Sequence, residues 1–456
     1  MERSVPLWFF ALCLLLGALF IVAFGWAIKS TLAGNDASGL FGRAAVQVAS
    51  FPTTTRQVLA EVFGYASGDY KDEAIRVQRE TEANYSGFQH VSAAIDIKVP
   101  GLLMRPVPNR ITPGWRAVIG AFQINGDIEN AVLLLSPELK IVKHWILDEV
   151  SVNGRKPRPK YRKFVHGVEI LRDGSLIFTF DGGISLQRFD ACGQRRWMTL
   201  GEFHHAVTLD EDAETVWTFS DARTVAQVNT DDGAILRRIA MDEIIASNPM
   251  IDILEIRRQH SNDLGLNSRD TAGGWLSDPY HLNDVEPLPA GISNRFSRFD
   301  AGDLLISARS LNLIFVLDPQ TLEVKWWRIG AVQRQHDPDW LDSGDILVLN
   351  NRMSRDFSEI VAINTDTFSR TVVLDGRKYG FYTRIRGKQQ LLEDGGLVIT
   401  SPQQGRAFEV DDDGEVVFEI VNLKPGSSDT NYVISELKWL PIDYLDPETW
   451  QCRITN

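Results

Sequence analysis

From residue 114 onward, short apolar runs alternate with turn residues, and the same grammar returns several times along the chain. A unit opens on a polar residue, often histidine, at the head of a half-apolar run. A turn such as Asp173-Gly174 or Ser343-Gly344 follows, and a nearly unbroken apolar run then reads as a second strand paired back on the first. Two more strands meet at another turn, as at Asp232-Gly233. His166, His204-His205, His281 and His336 stand at the heads of the second to fifth units, and Gln389 heads the sixth. The first unit, from Trp115 to Leu147, is short and less typical. The spacing matches the roughly 40 to 50 residues of a propeller blade. The pattern therefore predicts an all-β fold, a six-bladed β-propeller over residues 114–440. The strand expected over 432–440 would complete the first unit and close the ring, leaving no bare sheet edge.

Outside the repeats the pattern changes. Residues 6–28 are an uninterrupted apolar run, long enough as a helix to cross a hydrocarbon core of roughly 30 Å and without an evident small-residue cleavage site. Residues 1–30 are thus expected to be a signal anchor, a single transmembrane helix. Residues 31–113 read as a linker, a short helical stalk over 53–82 and a strand-rich lead-in broken by Pro100, Pro106, Pro108 and Pro113. Residues 241–262 carry apolar positions at helical spacing and read as a helical insertion between blades three and four, and 441–456 as a C-terminal tail.

Composition adds two constraints. A formal charge of -13 with 44% hydrophobic residues fits a folded chain that does not bind nucleic acid, although a local basic pocket inside an acidic shell would still hold a small anion. The three cysteines, Cys13, Cys192 and Cys452, are far apart, so no disulfide framework is expected and Cys192 is read as a quiet thiol. Asn84-Tyr85-Ser86 matches a glycosylation acceptor, which matters only in a secretory host.

The candidate chemistry lies at the heads of the units. Blade-opening strands line the central channel of a propeller, so His166, His205, His281 and His336 are placed to face one pocket although they are far apart in the chain. Asn283 follows His281 by two, an interval that puts both side chains on one face of a strand. Arg309 follows the apolar run from Leu304 to Ala308, where burying a guanidinium demands an anion or a carboxylate partner. Guanidinium, amide and imidazoles together suit a sulfuryl or phosphoryl group. Two other readings stand beside this one. A metal hydrolase would use His205, His281, His336 and Asp337 as ligands. A membrane-tethered propeller could instead organise envelope proteins without catalysis.

His281-Leu282-Asn283-Asp284, the run from Leu305 to Arg309, and Gln335-His336-Asp337-Pro338-Asp339-Trp340 with Gly344-Asp345 behind it together resemble the bacterial, adenosine-phosphosulfate-independent arylsulfotransferases. The resemblance spans roughly residues 114–440. It implies a six-bladed propeller on the periplasmic side of the inner membrane or outside the cell, moving a sulfuryl group from an aryl sulfate to a phenol without nucleotide, metal or other cofactor. It assigns His336 as the transiently sulfated nucleophile, His281, Asn283 and Arg309 as sulfate-binding residues, and His205, with His204 as its register alternative, as a further channel histidine. The partners it implies are an aryl sulfate donor and a phenolic acceptor.

Overall fold

The computed structural model describes residues 6–32, most of 39–49, 75–77, 85–152, 164–254, 278–353, 355–427 and 430–446. The chain divides into two units. In the first, the 26 residues Leu7–Leu32 form one α-helix with Lys29 in its last turn. It exposes Trp8, Phe9, Phe20 and Trp26 and contains a segment, Leu7–Thr31, of the length and composition that crosses a bilayer. Such a helix serves as a membrane anchor or as a signal sequence. Most of the expected stalk, 53–82, lies outside the described residues; within it Ile75–Val77 is a strand, paired antiparallel with Thr430–Tyr432.

The second unit is the six-bladed propeller. Blade one is built from Ile434–Leu440, Trp115–Ile124, Asp127–Leu135 and Ile141–Ile146, blade two from Phe164–Ile170, Leu176–Asp181, Ser185–Phe189 and Arg195–Leu200. Blade three runs His204–Leu209, Thr215–Asp221, Thr224–Asn229, Ile235–Ala240. Blade four runs Leu282–Pro287, Leu304–Ala308, Leu313–Leu317, Val324–Ile329, and blade five His336–Trp340, Asp345–Asn350, Glu359–Asn364, Arg370–Asp375. Blade six has Lys388–Leu391, Leu397–Ser401, Arg406–Val410 and Val416–Asn422, extended at its outer edge by Leu102–Pro106 and Gln89–His90. The lead-in strands thus cover an edge that would otherwise be open.

The apolar runs are continuous rather than alternating because each middle strand is packed on both faces by neighbouring blades. Leu304–Ala308 and Leu313–Leu317 are buried at every position. The core is accordingly a series of inter-blade clusters, such as the one joining Leu305, Ile314 and Val316 of blade four to Ile346, Val348 and Val361 of blade five. The Ser343-Gly344 turn needs its glycine: Gly344 has φ +85°, and a Cβ there would meet the Arg295 carbonyl oxygen at 2.9 Å. Between blades three and four, Met241–Ser247 is a helix that buries Met241, Ile244 and Ile245, the i, i+3, i+4 face seen in the sequence. The rest of the expected insertion beyond Leu254 lies outside the described residues.

The ring closes where Ile434–Leu440 pairs with Trp115–Ile124, with Leu440 opposite Trp115. Beside this seam a buried ion pair joins blade one to blade six. Arg116 Nε and Nη2 donate to Glu409 Oε1 at 2.5 Å and Oε2 at 2.7 Å, with both side chains at most 1% exposed. Arg116 also donates to the carbonyls of Gly114 and Thr112, so its donors are nearly all used. Removing one partner leaves a buried charge alone. Glu409→Leu should therefore destabilise the full-length chain by about 3–5 kcal/mol, read as a drop in the thermal unfolding midpoint in detergent. Adding Arg116→Met should restore much of the loss; an unchanged midpoint in the single variant would contradict this role for the pair.

Candidate functional site

Five of the six inner strands pair irregularly over their first residues. Register shifts interrupt the pairing between Val165 and Gly167, His204 and Val207, Leu282 and Asp284, His336 and Asp339, and Ile434 and Glu436. His205, His281, Asp337 and Arg386 have φ of +63°, +50°, +54° and +66°, a region non-glycine residues seldom occupy. A bulge turns consecutive side chains toward the same space and re-aims them. Such strain persists where the surroundings over-determine it, often at functional sites.

The resulting cavity is lined by His166, His205, Asn283, His336, Asp337, Arg386 and Lys388 among others. It brings three of the expected residues, His205, Asn283 and His336, into one lining. His281 adjoins it, its ring 4.9 Å from that of His205. Arg309 occupies a short 3-10 turn, Arg309–Leu311, where its backbone N–H donates to the His281 carbonyl at 3.1 Å.

The hydrogen bonds fix the tautomer of His336. Its Nδ1 lies 2.7 Å from Asn351 Oδ1 and 3.2 Å from the Arg334 carbonyl. Both partners can only accept, because the Asn351 amide group already donates to the carbonyls of Thr383 and Arg386. His336 Nδ1 therefore carries the proton, and Nε2 is the basic nitrogen. That Nε2 accepts the backbone N–H of Arg386 at 3.1 Å. Similar reasoning applies at His205. A neutral His204 donates through Nε2 to the Asp221 carbonyl at 3.1 Å and accepts at Nδ1, so the 2.6 Å contact between the two Nδ1 atoms places the shared proton on His205. His205 Nε2 is left as a base. His166 completes the group, its ring centroid 4.0 Å from that of His205.

Burial first, and the Arg309 charge second, hold the His336 imidazole well below its ordinary pKa. Burial likewise pushes His205 down, with help from His166 and His204, and His166 down, with help from Arg386. His166 keeps some accessible surface toward the cavity, but protein surrounds it and water screens it little. These rings are uncharged at neutral pH. Asn283 Nδ2 donates one hydrogen to the Gln335 carbonyl at 2.8 Å and has a second to offer.

Farther along the same strands the lining becomes acidic. Lys388 is paired with Asp337, whose other oxygen accepts the Gln389 N–H at 2.6 Å. Burial alone would lower the Lys388 ammonium, yet Asp337, Asp284 and Glu436 outweigh it and hold it well above its usual value. Burial pushes Asp284 up to about 7 and, with Asp284 and Asp337 nearby, raises Glu286 well above the carboxylate range. Burial and Asp337 do the same for Asp339. Asp337 is thus committed to Lys388 and the Gln389 amide rather than free as a metal ligand. Among the described residues, acidic or imidazole ligand atoms converge in threes only at Asp411, Asp412 and Asp413, away from this channel.

Arg386, Lys388, Asn351 and the His204–His205 contact were not singled out as working parts by the sequence reading. Arg386 donates to Asp181 at 3.2 Å and lies 3.7 Å over the Phe164 ring. A further difference concerns Cys192, which is not a quiet thiol but disulfide-bonded; Cys452 lies outside the described residues.

A sequence model described as Arylsulfotransferase (ASST) matches residues 167–423, more than half of the chain. No curated protein matches the sequence. Among solved structures, the chain is similar to a protein of unknown function from Bacteroides caccae, at 14% identity and a TM-score of 0.46, over 72% of this chain and 99% of that one. It is similar to a streptogramin B lyase at 10% identity and a TM-score of 0.41, over 74% and 98% of the chains. It is also similar to virginiamycin B lyase from Staphylococcus aureus at 11% and 0.33, over 61% and 84%. Likenesses this distant add nothing to the reading of the site.

The depressed imidazoles have a consequence for pH. In the unfolded chain each titrates near pH ~6.5, whereas the folded rings stay neutral to lower pH. Protons then bind only the unfolded state, and this contribution to stability is lost as pH falls below about 6.5. Asp284 acts in the opposite sense, since its folded form keeps a proton that the unfolded chain releases near pH ~4; its contribution fades as pH rises toward 7. Nitrogen-15 spectra of histidine-labelled protein should show His336 and His205 as neutral Nδ1–H tautomers at pH 6, and Arg309→Met should raise the His336 pKa. Titration of His336 at or above pH 6.5 would contradict the account.

Proposed function

The chain belongs to the arylsulfotransferase family, and we propose that its channel moves a sulfuryl group from an aryl sulfate ester to a phenolic acceptor through a sulfohistidine at His336. The observation that carries this reading is the fixed tautomer of His336. Asn351 holds the Nδ1 proton, so Nε2 is the nucleophilic nitrogen, and burial beside Arg309 keeps it unprotonated. A buried neutral imidazole next to a permanent cation is poorly explained as a structural histidine and well suited to attack an anionic ester.

In the first half-reaction Nε2 gives up its hydrogen bond from the Arg386 amide and attacks sulfur. The N–S bond forms, the bond from sulfur to the aryl oxygen breaks, and the phenolate leaves with the electron pair. The ester brings negative charge that raises the pKa of adjoining imidazoles, so His205 can carry the proton that the departing oxygen takes. In the second half-reaction the acceptor phenol returns that proton to His205 Nε2 and attacks sulfur, releasing His336. Arg309, His281 and the second Asn283 N–H stabilise the equatorial sulfuryl oxygens as charge spreads over them. The residues need no cofactor or metal for these steps.

Two features support a place outside the cytoplasm, with the propeller on the periplasmic side of a single-pass inner-membrane anchor. The apolar helix Leu7–Leu32 provides the anchor, and the disulfide at Cys192 belongs to an oxidising compartment.

The test is kinetic. Full-length protein in detergent should exchange sulfate between 4-nitrophenyl sulfate and phenol with the parallel double-reciprocal lines of a ping-pong reaction. His336→Ala should abolish exchange. Asn351→Ala, which frees the wrong tautomer, should lower kcat about 10- to 100-fold while the fold persists. Intersecting lines, or full activity in His336→Ala, would reject the assignment.

A further inference from the structure

The histidine cavity opens into a second, larger one of about 720 Å³ that shares His205, Asp337, Lys388 and Glu436 with it. This vestibule presents eight carboxyl side chains against two lysines. Both lysines are already committed, Lys388 to Asp337 and Lys438 to Glu169 at 3.0 Å. Among the described lining residues, the buried side-chain atoms left without a hydrogen-bond partner are both oxygens. Gln389 is 7% exposed; its amide N–H groups go to the Asp337 carbonyl at 2.9 Å and to Asp339 at 3.4 Å, while its Oε1 has no hydrogen-bond partner. Glu286 Oε2, also lining the vestibule, has none either. A buried acceptor without a donor costs free energy that a ligand can recover.

Resting on the sulfuryl-transfer reading above, we propose that this vestibule selects the acceptor, and that the acceptor is a phenol carrying an ammonium group, held by Glu286, Asp339 and the Gln389 oxygen while its hydroxyl reaches the histidine cavity. An anionic acceptor would add negative charge to a lining of acidic side chains whose two lysines are already paired. A neutral one would leave the Glu286 and Gln389 oxygens unpaired. The raised pKa values of Glu286 and Asp339, caused by burial and mutual repulsion, are what a bound cation would relieve. The observation that separates this from a merely acidic surface is the enclosed, unpartnered Gln389 carbonyl, which a solvated patch does not contain.

Full-length protein in detergent, with 4-nitrophenyl sulfate as donor, is offered three acceptors that share one phenol: tyramine, 4-ethylphenol and 3-(4-hydroxyphenyl)propanoate. The expected kcat/KM for tyramine exceeds that for 4-ethylphenol by about tenfold or more, in line with a hydrogen bond to a charged group, and the propanoate is slowest. In the Glu286→Gln, Asp339→Asn double variant the tyramine to 4-ethylphenol ratio should fall toward one. Transfer that proceeds equally well to all three, or best to the propanoate, overturns the proposal and leaves the sulfuryl-transfer reading standing. Absence of transfer to every acceptor overturns that reading instead; calorimetric binding of tyramine against 4-ethylphenol then decides the vestibule on its own, with tighter tyramine binding that the double variant abolishes supporting the cation site and equal binding rejecting it.

Discussion

Six inner strands converge on one axis, and the polar side chains they turn toward it must settle their charges with little help from water. Much of the rest follows from that constraint. The Lys388–Asp337 pair matches a partly buried cation with a buried anion, and the neighbouring Asp284, Glu286 and Asp339 are pushed toward their protonated forms by burial and by the acidic groups around them. At the other end of the same strands the imidazoles of His166, His205 and His336 are pushed toward their neutral forms. One desolvated channel thereby holds bases at one level and carboxyl groups at the next.

The bulges make this arrangement possible. A regular strand sends successive side chains to opposite faces, so His336 and Asp337 could not both face the axis. The left-handed residue Asp337 and the register shift behind it allow both to line the cavity. The cost of these conformations is borne by the ring, whose inter-blade clusters and closing strand fix the backbone on either side. The Arg116–Glu409 pair at the seam serves the same end by locking blade one against blade six.

The ring was legible in the sequence because blade grammar is a local, repeated signal: apolar runs, turn residues and their spacing recur in each unit. The histidines at unit heads were legible for the same reason. What was not legible depends on contacts between blades. Asn351 lies just beyond the second strand of blade five, and nothing local marks it as the acceptor that sets the His336 tautomer. Arg386 and Lys388 carry no local mark of function, and only the folded ring shows that both line the cavity. His204 and His205 could not be separated by register, and the structure uses both, one to orient the other. The disulfide at Cys192 escaped because sequence distance says nothing about proximity in a closed ring.

The central claim is that His336 Nε2 becomes covalently sulfated. The most direct measurement is intact-mass and peptide mass spectrometry of the full-length protein after a single turnover with 4-nitrophenyl sulfate and no acceptor, quenched under alkaline conditions. The account predicts a stoichiometric, acid-labile addition of one sulfuryl group on the peptide containing His336, discharged when phenol is added. A burst of nitrophenol with no adduct, or an adduct on any other residue, would contradict it.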